Sequence, residues 1–230
     1  MFVEVNNKIM YHYHKKGIYD ELWDTGKEII VDENFRSYFS RILDSFTTGV
    51  LCKDDKISSF DRVISYYLKD DIFENVDKEL GKQMLLEAKR IIYNTNVCRR
   101  EFALEQIRKE FYPHLPSRLH SIWLTDSENI DFWKEQLVSK ETLENNPNAL
   151  ELYKVSITGN LFKSSDYLIP DDELTMLEMK EQSKKYWNPD FINNEKALRG
   201  TEYLFQGKLK IMRRIEKDNW IYPQIIKYRI

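Results

Sequence analysis

The chain has 230 residues, 42% of them apolar and 32% charged, with a formal net charge of −3. That length supports one sizeable core, and the balance suits a globular fold rather than a disordered tail or a basic coat on nucleic acid. No apolar run approaches the roughly 18 residues of a membrane span, and no leader-like start is present, so a cytoplasmic protein without a membrane partner is expected.

In chain order, Lys8 to His14 (Lys-Ile-Met-Tyr-His-Tyr-His) reads as a short aromatic strand ended by Lys15-Lys16-Gly17. Asp20 to Asp32 reads as a loop that closes in Ile29-Ile30-Val31. Helices are expected over Glu33–Phe46, Ser58–Leu68 and about Asn75–Phe111. In the last, Val76, Leu80, Met84, Ala88, Ile91, Thr95, Cys98 and Phe102 form one stripe at helical spacing. Cys98 and Cys52 fit no metal or redox spacing, consistent with a reducing compartment. Pro113 and Pro116 end the long helix.

Ser117 to Thr125 then reads as a strand, followed by a helix through Leu137 that Asp126 or Ser127 can cap. Glu151 to Ile157 is a strand closed by a turn at Thr158-Gly159-Asn160. Asp171-Asp172-Glu173 opens a helix to about Tyr186, broken at Asn188-Pro189. A strand runs from Glu202 to Ile211, and Ile221 to Ile230 adds an edge strand. The class is α+β in one domain, 1–230, with a helical insertion at about 33–112 after the first strand. Basic residues crowd the last stretch (Lys208, Lys210, Arg213, Arg214, Lys217, Lys227, Arg229), either as a solvated face or as a docking surface for phosphate or an acidic partner.

Three groups of residues can carry chemistry. Glu202 follows the flexible Arg199-Gly-Thr step at the mouth of the late strand. His12 and His14 share one strand face, which allows a metal, a ribose contact, or one core and one surface imidazole. Ser117-Arg118-x-x-Ser121-Ile-Trp123 places an arginine fork behind a stiffened loop, with Ser121 and Trp123 on one face as a platform for a planar ring. A core tryptophan is the plainer alternative for Trp123.

Tyr11-His12, Pro116-Ser117-Arg118-Leu-His-Ser121-Ile-Trp123 and Gly200-Thr-Glu202-Tyr-Leu-Phe-Gln-Gly207 together resemble a bacterial and phage family placed in the ADP-ribosyltransferase-like superfamily. Trp23-x-x-Gly26 and Tyr186-Trp187 also fit, so the resemblance spans most of the chain. It implies a split β-sheet core, NAD as substrate and no metal. It implies that His12 binds ribose, Trp123 packs on nicotinamide and Glu202 is catalytic. Ser117, Ser121 and Arg118 would complete the cofactor site, with Arg36 or Arg108 as other candidates for the diphosphate. Trp123 stands where that superfamily commonly has tyrosine, and His14 where threonine or serine often follows the histidine.

The implied activity is transfer of ADP-ribose from NAD to a macromolecular acceptor, protein or nucleic acid, by a toxin or an effector in conflict with phages. A neutralising antitoxin is an implied partner, and the helical insertion would cover the cleft, bind the target or dock that partner. Water as acceptor gives an NAD glycohydrolase instead. A metal-dependent hydrolase on His12, His14 and Glu202, and a non-enzymatic binding protein, are the readings from other classes.

Overall fold

The computed structural model describes residues 2–15, 20–47, 49–51, 57–69, 77–139, 142, 145–146, 149–192 and 194–215. The elements are β1 (Phe2–Lys15), β2 (Glu28–Val31), α1 (Tyr38–Ser45), β3 (Gly49–Leu51), β4 (Ile57–Ser59), α2 (Phe60–Tyr67), α3 (Lys78–Phe111), β5 (Ile122–Leu124), α4 (Ile130–Leu137), β6 (Leu150–Ser165), α5 (Met176–Trp187), α6 (Glu195–Arg199) and β7 (Thr201–Ile215). The fold is mixed α/β around an antiparallel five-stranded sheet in the order β1-β6-β7-β2, with β5 also on β7. β3 and β4 pair separately.

The sheet curls onto itself. Tyr11 in β1 exchanges two backbone hydrogen bonds with Thr125, the residue after β5, at 2.9 and 2.8 Å. β1, β6, β7 and β5 therefore form a ring closed at that bridge. Strand alternation sorts side chains to its two faces. Met10, Leu124, Tyr153, Val155, Tyr203, Phe205 and Leu209 pack together on the inner face. Phe162 and Leu204 pack outward against Leu104, Ile107, Tyr186 and Trp187 of α3 and α5. Tyr13, Leu150 and Leu152 meet Ile130 and Trp133 of α4 on the same outer side.

Two glycines allow this curvature. Gly159 and Gly207 pair directly across β6 and β7, with φ of 143° and 141°. A Cβ on Gly159 would lie 2.5 Å from the Gln206 carbonyl oxygen and 2.8 Å from the Gly207 Cα. The turn expected at 158–160 is therefore absent: β6 runs through it as one strand. In β1 one extra residue lies between Val5 and Lys8, where Asn7 adopts φ 52° and its N–H donates to Thr158 Oγ1 at 3.0 Å.

Other expectations need correction. Ile29-Ile30-Val31 belongs to strand β2, because Ile29 and Val31 bury against the inner core while β2 pairs with β7. The segment 33–112 thus follows the second strand rather than the first, and it contains the β3–β4 hairpin. Ser117 to Thr125 is not one strand. A 3-10 turn spans Arg118–His120, capped by Ser117 Oγ, which accepts from Leu119 N at 3.2 Å, before β5 begins. The long helix starts at Lys78, with Asp77 accepting from Leu80 N, and its deepest positions are Val97, Glu101, Ala103, Leu104 and Ile107. Phe102, expected in the stripe, is exposed. α5 begins later than expected, at Met176, where Thr175 and Glu178 cap each other reciprocally. Val76, Cys52 and the edge strand expected at 221–230 lie outside the described residues.

Candidate functional site

The densest polar cluster is centred on Arg118, under the outer face of the sheet. Its place is fixed by the Ser117 cap and by Ser121, whose Oγ donates to the Ser117 carbonyl at 2.7 Å. The guanidinium is buried and spends its fork on neighbours. Nε and Nη2 donate to Glu101 of α3 at 2.9 and 3.2 Å, and Nη1 donates to Glu202 of β7 and to the Tyr186 hydroxyl of α5, both at 2.6 Å. Tyr186 in turn donates to the same Glu202 oxygen, Oε1. Its ring, with those of Trp123 and Phe39, surrounds the guanidinium at 4.8, 5.3 and 5.3 Å. Four segments distant in sequence meet on one cation.

Glu202 is 3% exposed. Burial raises its pKa, Arg118 opposes that rise and Asp166 adds to it. Burial likewise raises Asp166, against the pull of Arg118 and Arg100. On Arg118 burial works against the charge, but Glu101, Tyr186 and Glu202 together outweigh it and hold the cation well protonated. The Tyr186 hydroxyl is pushed well up by burial, so it stays a donor to Glu202. Asp166 and Trp123 are half-buried and mark the side on which the network meets solvent.

His12 lies elsewhere. It belongs to the inner face with Met10 and stacks on Trp23, with ring centroids 4.1 Å apart and planes 8° apart. Its Nδ1 donates to the Trp123 carbonyl at 2.8 Å, which leaves Nε2 as an acceptor. Burial pushes its pKa down to about 4, with the Trp123 carbonyl opposing and His14 reinforcing the shift. His14 shares its face and approaches Trp23 at 5.3 Å, as the two-residue spacing requires.

The sequence-predicted residues therefore divide. Ser117, Arg118, Ser121, Trp123 and Glu202 come together; His12 touches that group only through the backbone of Trp123. Glu202 and His12 occupy opposite faces, so His12, His14 and Glu202 do not assemble as metal ligands, and among the described residues no three metal-ligating side chains converge. Arg118 is committed to carboxylates rather than offered to a diphosphate. Arg108 is bound to Glu105 and to the carbonyls of Pro113 and Leu115, and Arg36 to Asp44 and Ser40.

Glu101, Tyr186 and Asp166 also belong to the cluster; of these only Tyr186 lies in a motif of the resemblance, with no role implied for it. Glu101 had a legible signal. Four residues after Val97 and three before Leu104, it is an acid on the buried stripe of a helix, which requires a buried cation.

The mixed fold and its Arg118-centred site define an α/β protein with a curled antiparallel sheet. The chain belongs to the family described as "Protein of unknown function (DUF2441)", which matches residues 10–217. No curated protein matches it. Among the described residues no helix is long and apolar enough to cross a membrane.

Proposed function

We propose that the chain is an NAD-dependent ADP-ribosyltransferase with a macromolecular acceptor, in which Glu202 is the catalytic carboxylate. One observation carries this reading: the three motif strands are neighbours, with β5 between β1 and β7. Thr125 bridges to Tyr11 on one side, and Trp123 faces Leu204 on the other. Glu202 lies two residues before Leu204, hence on the same face as Trp123.

The chemistry follows from that arrangement. When the bond between nicotinamide and ribose breaks, its electron pair leaves with nicotinamide and a ribosyl cation develops at C1′. A fixed carboxylate stabilises that charge, and the acceptor nucleophile then bonds to C1′ and loses its proton. Arg118 and Tyr186 both hold Oε1 of Glu202, so Oε2 is the oxygen left for a ribose hydroxyl. Trp123 offers its ring beside the carboxylate. His12 acts in this reading as a positioning residue that fixes the Trp123 backbone.

A second reading, a non-enzymatic protein in which the cluster is only a tie between helices and sheet, is favoured by the complete use of the Arg118 fork. One experiment separates the two. The full chain is incubated with cell extract and NAD labelled in its adenosine half. The transferase releases nicotinamide and labels macromolecules, whereas release without labelling identifies the glycohydrolase. Glu202→Gln is expected to keep its fold by circular dichroism and to lose roughly 10²–10³ in turnover. Absence of nicotinamide release, or unchanged turnover in Glu202→Gln, overturns the assignment.

A further inference from the structure

We propose that the part of the outer sheet face that none of the described helices covers binds the phosphodiester backbone of a single-stranded nucleic acid. α3, α4 and α5 cover the ends of the outer face around Leu204 and Leu152, but not the stretch between them. There Lys208, Lys210 and Arg213 of β7 are exposed, beside Thr158 and Asn160 of β6.

The charges on this stretch are poorly neutralised. Lys154 and Arg213 stand directly opposite each other across β6 and β7. Cross-strand partners point to the same face, so these two cations repel. Lys210 lies on the same face, opposite Ser156. Glu28, directly opposite Lys210 on β2, bonds Lys208 at 2.9 Å, and Glu4 stands opposite Asn160; among the described residues Lys154, Lys210 and Arg213 form no ion pair. This occurs in a chain with 38 acidic against 35 basic residues, so carboxylates are not scarce. An anion laid across the strands relieves the repulsion that the free protein carries.

The form of the patch selects the anion. It is a track along adjacent strands spaced about 4.8 Å apart, narrow enough for one chain rather than a duplex. Of its uncharged members, Ser156 and Asn160 offer hydroxyl and amide groups suited to phosphate and sugar contacts, while the Thr158 hydroxyl is bound to Asn7 N–H and Asn6 Oδ1. The apolar side chains Ile9 and Ile30 lie on the flanking strands β1 and β2, so the centre lacks the aromatic or aliphatic anchor expected of a protein interface. β7 runs without a register break from Glu202 to Ile211, so the track shares a face with the carboxylate, which is itself buried beyond Leu204 under α3 and α5. The role of the bound strand as acceptor rests on the transferase reading; the binding itself does not.

The test is fluorescence anisotropy of a labelled 20-nucleotide oligo(dT) with the full chain, without NAD. Three neutralised phosphates give a log–log salt slope of about −2. Lys210→Glu/Arg213→Glu is expected to fold as the wild type by circular dichroism, to bind at least about tenfold more weakly and to flatten that slope. Glu202→Gln should bind as the wild type, so loss of turnover and loss of binding are separate results. No binding by the wild type, unchanged binding by the double variant, or equal competition by polyglutamate or duplex DNA each overturns the proposal.

Discussion

Arg118 meets Glu202 through one nitrogen, Nη1 to Oε1 at 2.6 Å, while the other edge of its guanidinium holds Glu101. One buried cation thus serves two buried carboxylates. Arg118→Ala leaves both without a cation and is expected to cost about 3–5 kcal/mol in urea unfolding. Arg118→Lys keeps the charge but not the fork and should recover only part of the loss. An alanine variant within about 1 kcal/mol of the wild type, the scale of an exposed pair, would mean that the cluster ties nothing together.

His12 gives a pH dependence of defined sign. Its pKa falls from 6.5 to about 4 on folding. Above pH 6.5 neither state binds the proton and the contribution is complete. As pH drops toward 4, the unfolded chain takes a proton that the folded imidazole refuses, and roughly 3 kcal/mol of stability is lost at about 1.4 kcal/mol per unit. Glu202 acts oppositely: because burial raises its pKa, its contribution declines as pH rises above its ordinary value of 4.5. His12→Asn, whose amide can still donate to the Trp123 carbonyl, should flatten the urea midpoint between pH 6.5 and 5. An identical slope in both proteins would remove His12 as its source.

The glycine pair makes a third prediction. Alanine at Gly159 or Gly207 meets backbone at 2.5 Å in a conformation that disfavours side chains. Each is expected to cost several kcal/mol, on the order of 2–4 by the scale of backbone strain combined with steric overlap. The double variant should cost less than the sum, because one displacement of the strands relieves both clashes. Thermal unfolding of the three variants checks this, and additive losses would mean that the two sites are independent.

Much of the fold was legible where local signals are strong. Proline at 113 and 116 and the helical spacing from Leu80 to Cys98 located α3, and the alternation after Glu202 located β7. Two of the misreadings share one cause: long-range pairing overrode local preference. Gly159 looks like a turn unless Gly207 is known to face it. Ile29 to Val31 is too short to announce a strand until β7 supplies a partner. At the site, the gathering of Arg118, Trp123 and Glu202 agreed with the motif order. The facing of His12 did not follow from it, because a face is set by strand register, which the bridge at Thr125 decides.

The Tyr186–Arg118 clasp on Glu202 also acts as a latch on strand position. β7 is the partner of β6, β5 and β2, and a slip of two residues would keep every side chain on its proper face. Strand alternation alone therefore does not oppose such a slip. It would carry Glu202 about 7 Å away, out of reach of the guanidinium, and strand that buried carboxylate while Arg118 keeps Glu101. The ionic tooth and the Gly159–Gly207 pair thus index the ribbon together, so any shift of β7 along β6 works against both.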